Sequence, residues 1–131
     1  MARGLLDTSV MVATETGRKI RSALLPDEGV ISVVTVGELR AGVLSANDEF
    51  TRAARLATLE KTLQIEILPI DDSAAAVWAT IRVHLAESER RFDVNDLWIA
   101  ATAIANRLPV YTQDDDFSQL DGVAGLKAIK V

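Results

Sequence analysis

The sequence predicts an α/β domain, one unit over residues 1–131, with a mainly parallel central sheet of about five strands. Three observations predict it. Short apolar runs alternate with longer helical patterns from end to end, the arrangement of a parallel sheet with helices on both faces. The early strands run directly into Asp, Thr or Ser, which suit the start of a helix. No repeat, low-complexity stretch or linker interrupts the chain, and its length is enough to bury roughly two-thirds of the unfolded surface in a three-layer core.

Gly4-Leu5-Leu6 forms the first strand and ends at Asp7-Thr8-Ser9, with Val10 to Ala13 as a first helical turn. Ile20, Ala23 and Leu24 predict a short amphipathic helix from Arg18 to Leu25, stopped at Pro26. The next strand runs from Val30 to Val33 or Val34, and Thr35 with Glu38 three residues on matches a capping box for a helix to about Leu44. Asp48 or Asn47 caps a longer helix through Gln64, and Ile65 to Leu68 is a strand closed by Pro69. Asp71-Asp72-Ser73 caps a helix carrying Ala74, Val77, Trp78, Ile81 and Leu85. After the solvated Glu87 to Arg91, Asp93 caps a helix from Asn95 to about Asn106 that is apolar almost all round and therefore buried. Leu108 to Thr112 is a strand, Gln113 to Phe117 a loop or short helix, and Lys127 to Val131 a last edge strand.

Composition narrows the chemistry. There are no cysteines and one histidine, His84, so disulfides, thiolate zinc sites and imidazole-rich centres within one chain are excluded. A metal here sits on oxygen, which favours Mg²⁺ or Mn²⁺ held by carboxylates. No apolar run approaches the roughly 20 residues of a membrane span, and Met1 to Leu6 meets an acid too soon for a signal peptide, so a cytoplasmic protein with no membrane partner is expected. The net charge of −5 argues against a polyanionic partner only if the acids are spread evenly. Taking Asp7, Glu38, Asp96, Asp114 and Asp116 from the 19 acids as one cation-binding cluster leaves 14 against 14 bases.

Asp7 and the Asp114 to Asp116 loop follow strands, and Glu38 opens the helix after another, so all three belong at the carboxyl edge of the sheet, where ligands of such sheets bind. Asp96 heads the buried helix, where an ionised carboxylate needs a partner. Connectivity alone does not bring Asp96 to that edge; the link from Glu87 to Val94 is long enough to allow it. Two carboxylates 4 Å apart repel by roughly 4 kcal/mol at an effective dielectric near 20, so a convergent cluster needs a cation or protons. Mg²⁺ or Mn²⁺ in such a cluster suits phosphodiester hydrolysis, with Thr8, Ser9 and Thr112 bonding the carboxylates or a water.

Each acid also has a plainer reading. Glu38 and Asp96 both suit the third helical position of a capping box, Asp71 and Asp72 are caps, and Asp115 is a solvated acid. His84 is packed or exposed, and Trp78 and Trp98 are core or interface anchors. Arg18, Lys19, Arg21, Arg52 and Arg55 form solvated faces or line a phosphate path.

Leu5-Leu6-Asp7-Thr8-Ser9, Glu38-Leu39 with Gly42, Asp96-Leu97-Trp98-Ile99-Ala100-Ala101 and Thr112-Gln113-Asp114-Asp115-Asp116-Phe117 together resemble the four acidic motifs of PIN-domain ribonucleases. They span nearly the whole chain, and its size and opening motif look most like a VapC-type toxin of a bacterial toxin–antitoxin pair. The resemblance implies a three-layer α/β/α fold with the acids at one edge, Asp96 included. It implies Mg²⁺- or Mn²⁺-dependent endonucleolytic cleavage of RNA, a metal-bound water attacking phosphorus to leave a 5′-phosphate and a 3′-hydroxyl. Asp7, Glu38 and Asp96 match the motif acids directly; the fourth is Asp114 or Asp116, with Asp114 favoured. It further implies a homodimer held inactive by a cognate antitoxin protein that covers an apolar groove.

Three rivals remain. A receiver domain wants an acidic pair near the first strand, and no acid neighbours Asp7. A haloacid-dehalogenase-like phosphatase needs a second Asp two residues after its nucleophile, where this chain has Ser9. A non-catalytic binding or scaffold domain would use the acids as helix caps alone.

Overall fold

The computed structural model describes residues 2–131. Its strands are β1 (Arg3–Leu6), β2 (Glu28–Ser32), β3 (Glu66–Leu68), β4 (Val110–Thr112) and β5 (Ala128–Lys130). Every neighbouring pair is parallel, in the order β3-β2-β1-β4-β5. The chain therefore winds outward from β1 to β3 and then crosses back to β4, so the direction of winding reverses between β1 and β4. A crevice at the carboxyl ends of such a strand pair is where parallel sheets place ligands.

The helices are α1 (Thr8–Thr16), α2 (Val33–Leu44), α3 (Glu49–Thr62), α4 (Asp72–Glu87) and α5 (Val94–Ala105). Successive strand residues face opposite ways, and two cores result. Leu5, Val30 and Val110 pack with Ile81, Leu85, Leu97, Ile99 and Ala100 of α4 and α5. Leu6, Ile31 and Ile67 pack with Val36, Leu39 and Leu59 of α2 and α3. This is the expected three-layer α/β/α arrangement. In α5, Ile99, Ala100, Ala101 and Ala103 are all fully buried, as its apolar run requires. Among the described residues no helix is long and apolar enough to cross a membrane.

Several local expectations are corrected. Arg18 to Leu25 holds only a 3₁₀ turn at Ser22–Leu24. α1 instead extends to Thr16 and ends on Gly17 at φ 73°, whose N–H reaches Ala13 O. In the segment that follows, Ile20 and Leu25 pack beside Val10, Tyr111 and Val131. β2 stops at Ser32, not at Val33 or Val34, because the Ser32 hydroxyl accepts the Val34 N–H at 3.1 Å and caps α2. Thr35 is consequently buried inside the helix rather than capping it, and Glu38 lies in the second turn. α5 begins one residue early, at Val94. The loop or short helix expected over Gln113 to Phe117 is found as a loop that enters a 3₁₀ helix at Asp116–Leu120.

Candidate active site

The site lies where β1 and β4 end. Asp7 occupies the N-cap position of α1, yet its side chain makes no cap bond and is 1 % exposed. Ser9 Oγ donates to Asp7 Oδ2 at 2.7 Å and Thr112 Oγ1 donates to the same oxygen at 3.0 Å. Each hydroxyl has one proton, so with both spent on Asp7 these oxygens serve elsewhere as acceptors. Ser9 Oγ takes the Gln113 N–H at 2.9 Å, and Thr112 Oγ1 takes the Asp114 N–H at 2.9 Å. The loop after β4 is thereby tied to the first turn of α1. Burial raises the Asp7 pKa above its ordinary value, the two hydroxyls oppose the rise, and the charge of Asp114 adds to it.

Glu38 comes in from α2. Thr8 Oγ1 donates to Glu38 Oε1 at 2.7 Å and stands 2.9 Å from Thr35 Oγ1. With the Thr8 proton given to Glu38, Thr35 is the donor in the second bond. The sequence pattern marks Thr35 only as a cap. Its spacing of three from Glu38, which puts both on one helix face, was the signal for its second role.

Asp96 lies in the first turn of α5, where Asp93 is the cap and accepts the N–H groups of Asn95 at 3.0 Å and Asp96 at 3.1 Å. Among the described residues the Asp96 carboxylate makes no hydrogen bond back to Asp93, so it is not the second half of a capping box. Burial, then the charges of Asp7, Asp93, Glu38 and Asp114, push its pKa up to about 7. These neighbours place the head of α5 among the other acids. β4, the strand that follows α5, is parallel to the others and so starts at the opposite edge of the sheet, to which α5 leads from the acids.

Asp114 raises the pKa of both Asp7 and Asp96 and is half-buried, whereas Asp116 is exposed. The reason is local: Phe117 and Leu120 of the same 3₁₀ helix are buried, which turns Asp116 outward. The structure therefore gathers Asp7, Glu38, Asp96 and Asp114, with Thr8, Ser9 and Thr112 bonded among them, and leaves Asp116 outside. Asp48, Asp71 and Asp93 accept N–H groups as caps; the four gathered acids do not. Trp78 and Trp98 stack, with ring centroids 4.8 Å apart, and pin α4 to α5.

Residues 4–123 match the PIN domain family. The chain belongs to the PIN-domain family. It is 57% identical over 130 residues to Ribonuclease VapC5 of Mycobacterium tuberculosis strain ATCC 25618 / H37Rv, covering 99% of this chain and 96% of that one. Ribonuclease VapC4 of the same strain is 39% identical over 121 residues, covering 92% and 93%. A solved structure of VapBC-5 from Mycobacterium tuberculosis, a member of the VapBC family of toxin-antitoxin systems, superposes with a TM-score of 0.93 at 53% identity, covering 100% of both chains.

The donor set of this PIN domain suits a hard divalent cation. Asp114 raises the pKa of Asp7, and Asp7, Glu38 and Asp114 raise that of Asp96, while among the described residues none of the four forms an ion pair with Lys or Arg. No three of them, among the described residues, stand close enough as placed to grip one ion. Mg²⁺ is compatible with that spacing, since it usually keeps several waters and takes only one or two carboxylates directly.

Proposed function

We propose that this PIN domain is a VapC-type endoribonuclease toxin that hydrolyses RNA phosphodiester bonds with Mg²⁺ or Mn²⁺. The observation that carries the reading is four non-capping carboxylates, from the end of β1, α2, α5 and the loop after β4, of which three raise the pKa of the fourth, Asp96, and none forms an ion pair with a cationic side chain among the described residues. Asp7, Glu38, Asp96 and Asp114 would hold the ion, which supplies positive charge against a phosphoryl oxygen and acidifies a water. Ser9 and Thr112 fix Asp7 from one side, leaving Oδ1 free of side-chain donors among the described residues. Thr8 fixes Glu38, and Asp96 exchanges its proton for the cation.

A cognate antitoxin and a second copy of the chain complete the proposal. The likeness to VapBC-5, a member of a family of toxin-antitoxin systems, supports the former. Exposed Leu44 and Phe50 offer apolar surface for such partners.

The test is cleavage of total cellular RNA by the purified chain, with the fragment ends mapped and Asp7→Asn as the blank. Cleavage that requires Mg²⁺ or Mn²⁺, stops with chelator and drops at least about 100-fold in Asp7→Asn is expected, the scale for losing a group that acts on the reacting centre. Cleavage indifferent to chelator or to Asp7→Asn would remove the assignment.

A further inference from the structure

We propose that a basin beside the acids, lined by Arg18, Lys19, Arg21, Gln113 and Lys130, binds the phosphate backbone of the RNA strand flanking the cleaved bond; this rests on the ribonuclease reading above. The basin measures ≈ 430 Å³ and opens where the segment after α1 meets the end of β5. It gathers four of the chain's 14 basic residues on a molecule whose net charge is −5. Among the described residues Arg18, Lys19 and Arg21 form no ion pair, and Lys130 pairs with Asp115. Three uncommitted cations around one concavity fit a polyanion better than any single carboxylate.

Position ties the basin to the chemistry. Gln113, 8 % exposed, donates through its side-chain nitrogen to Lys19 O at 3.0 Å and Val131 O at 2.8 Å, which fixes both walls. Its backbone N–H bonds Ser9 Oγ, the same oxygen that holds Asp7, and the next residue is Asp114. The basic walls thus continue directly from the acidic site. An acidic protein segment lying there would meet Asp7 and Asp114 as repulsive neighbours, whereas for a phosphodiester strand that repulsion would be offset by the divalent ion those carboxylates would hold. Cations flanking a cleavage site hold the strand in register without reading its bases.

The test uses a labelled single-stranded RNA oligonucleotide and the uncleaving Asp96→Asn chain, with affinity measured against salt. Replacing Arg18, Lys19 and Arg21 together by Gln is expected to lower the slope of log affinity on log salt by about 2, at about 0.7 per phosphate contact. Affinity should fall roughly tenfold at low salt. Arg18→Lys with Arg21→Lys, which keeps the charge, should restore both. In the cleaving chain the Gln triple should raise KM more than it lowers kcat, with the melting temperature unchanged because all three side chains are exposed. An unchanged slope and KM alongside intact wild-type cleavage would overturn the basin while leaving the ribonuclease reading in place. So would a loss confined to an acidic peptide probe. A wild-type chain that cleaves no RNA would overturn both.

Discussion

At the residue scale the informative group is Asp96. Burial and neighbouring carboxylates push it up to about 7 from 3.8. Between those values the folded chain keeps a proton that the unfolded chain has released, so the contribution of this group to stability is greatest at the acid end and is lost as pH rises to about 7. Asp96→Asn carries no charge at any pH and nearly the same shape. Without divalent ions it is expected to melt above the wild type at pH 8, by roughly 4 °C for each kcal/mol of repulsion relieved, with the gap narrowing toward pH 5. Thermal unfolding across that range checks it, and a difference independent of pH would mean that Asp96 is not held protonated by its neighbours. The sequence alone left Asp96 as either cap partner or ligand. The structure separates the two roles, because Asp93 accepts the cap bonds and, among the described residues, the Asp96 carboxylate makes none back to Asp93.

At the element scale, close packing between β1 and β4 sets the edge on which the acids stand. A Cβ on Gly4 would come within 2.1 Å of the Tyr111 ring, and Tyr111 is itself 6 % exposed with little room to turn. Gly4→Ala is therefore expected to destabilise the fold by about 1–3 kcal/mol, read from denaturant unfolding, whereas an unchanged midpoint would show that β4 can move. The elements that were legible in the sequence are those whose own pattern decides them. The all-apolar run of α5 could only be buried, and Asp48 and Asp71 cap as their positions require. The illegible ones were decided by competition between neighbours. Val33 and Val34 favour a strand, but the Ser32 hydroxyl starts α2 before them. Ile20, Ala23 and Leu24 mark a helix by spacing, yet Ile20 and Leu25 pack as single anchors on either side of a short turn.

At the scale of the whole molecule, the order β3-β2-β1-β4-β5 brings Asp7 and Asp114 to adjacent strand ends and lets α2 and α5 deliver Glu38 and Asp96 to the same place. Alternation of strands and helices predicted the sheet, but the return of the chain to its carboxyl edge before α5 came only from resemblance, because nothing in the six residues between α4 and α5 encodes direction. Four acids so placed need protons or a cation, and the two compete for Asp96. Calorimetric titration with Mn²⁺ tests that most directly. The wild type is expected to bind Mn²⁺ more tightly at pH 8 than at pH 6, releasing protons at pH 6 as the cation displaces them, while Asp96→Asn loses most of the affinity. No binding by the folded wild type, or equal binding by Asp96→Asn, would contradict the account of these carboxylates as one metal site.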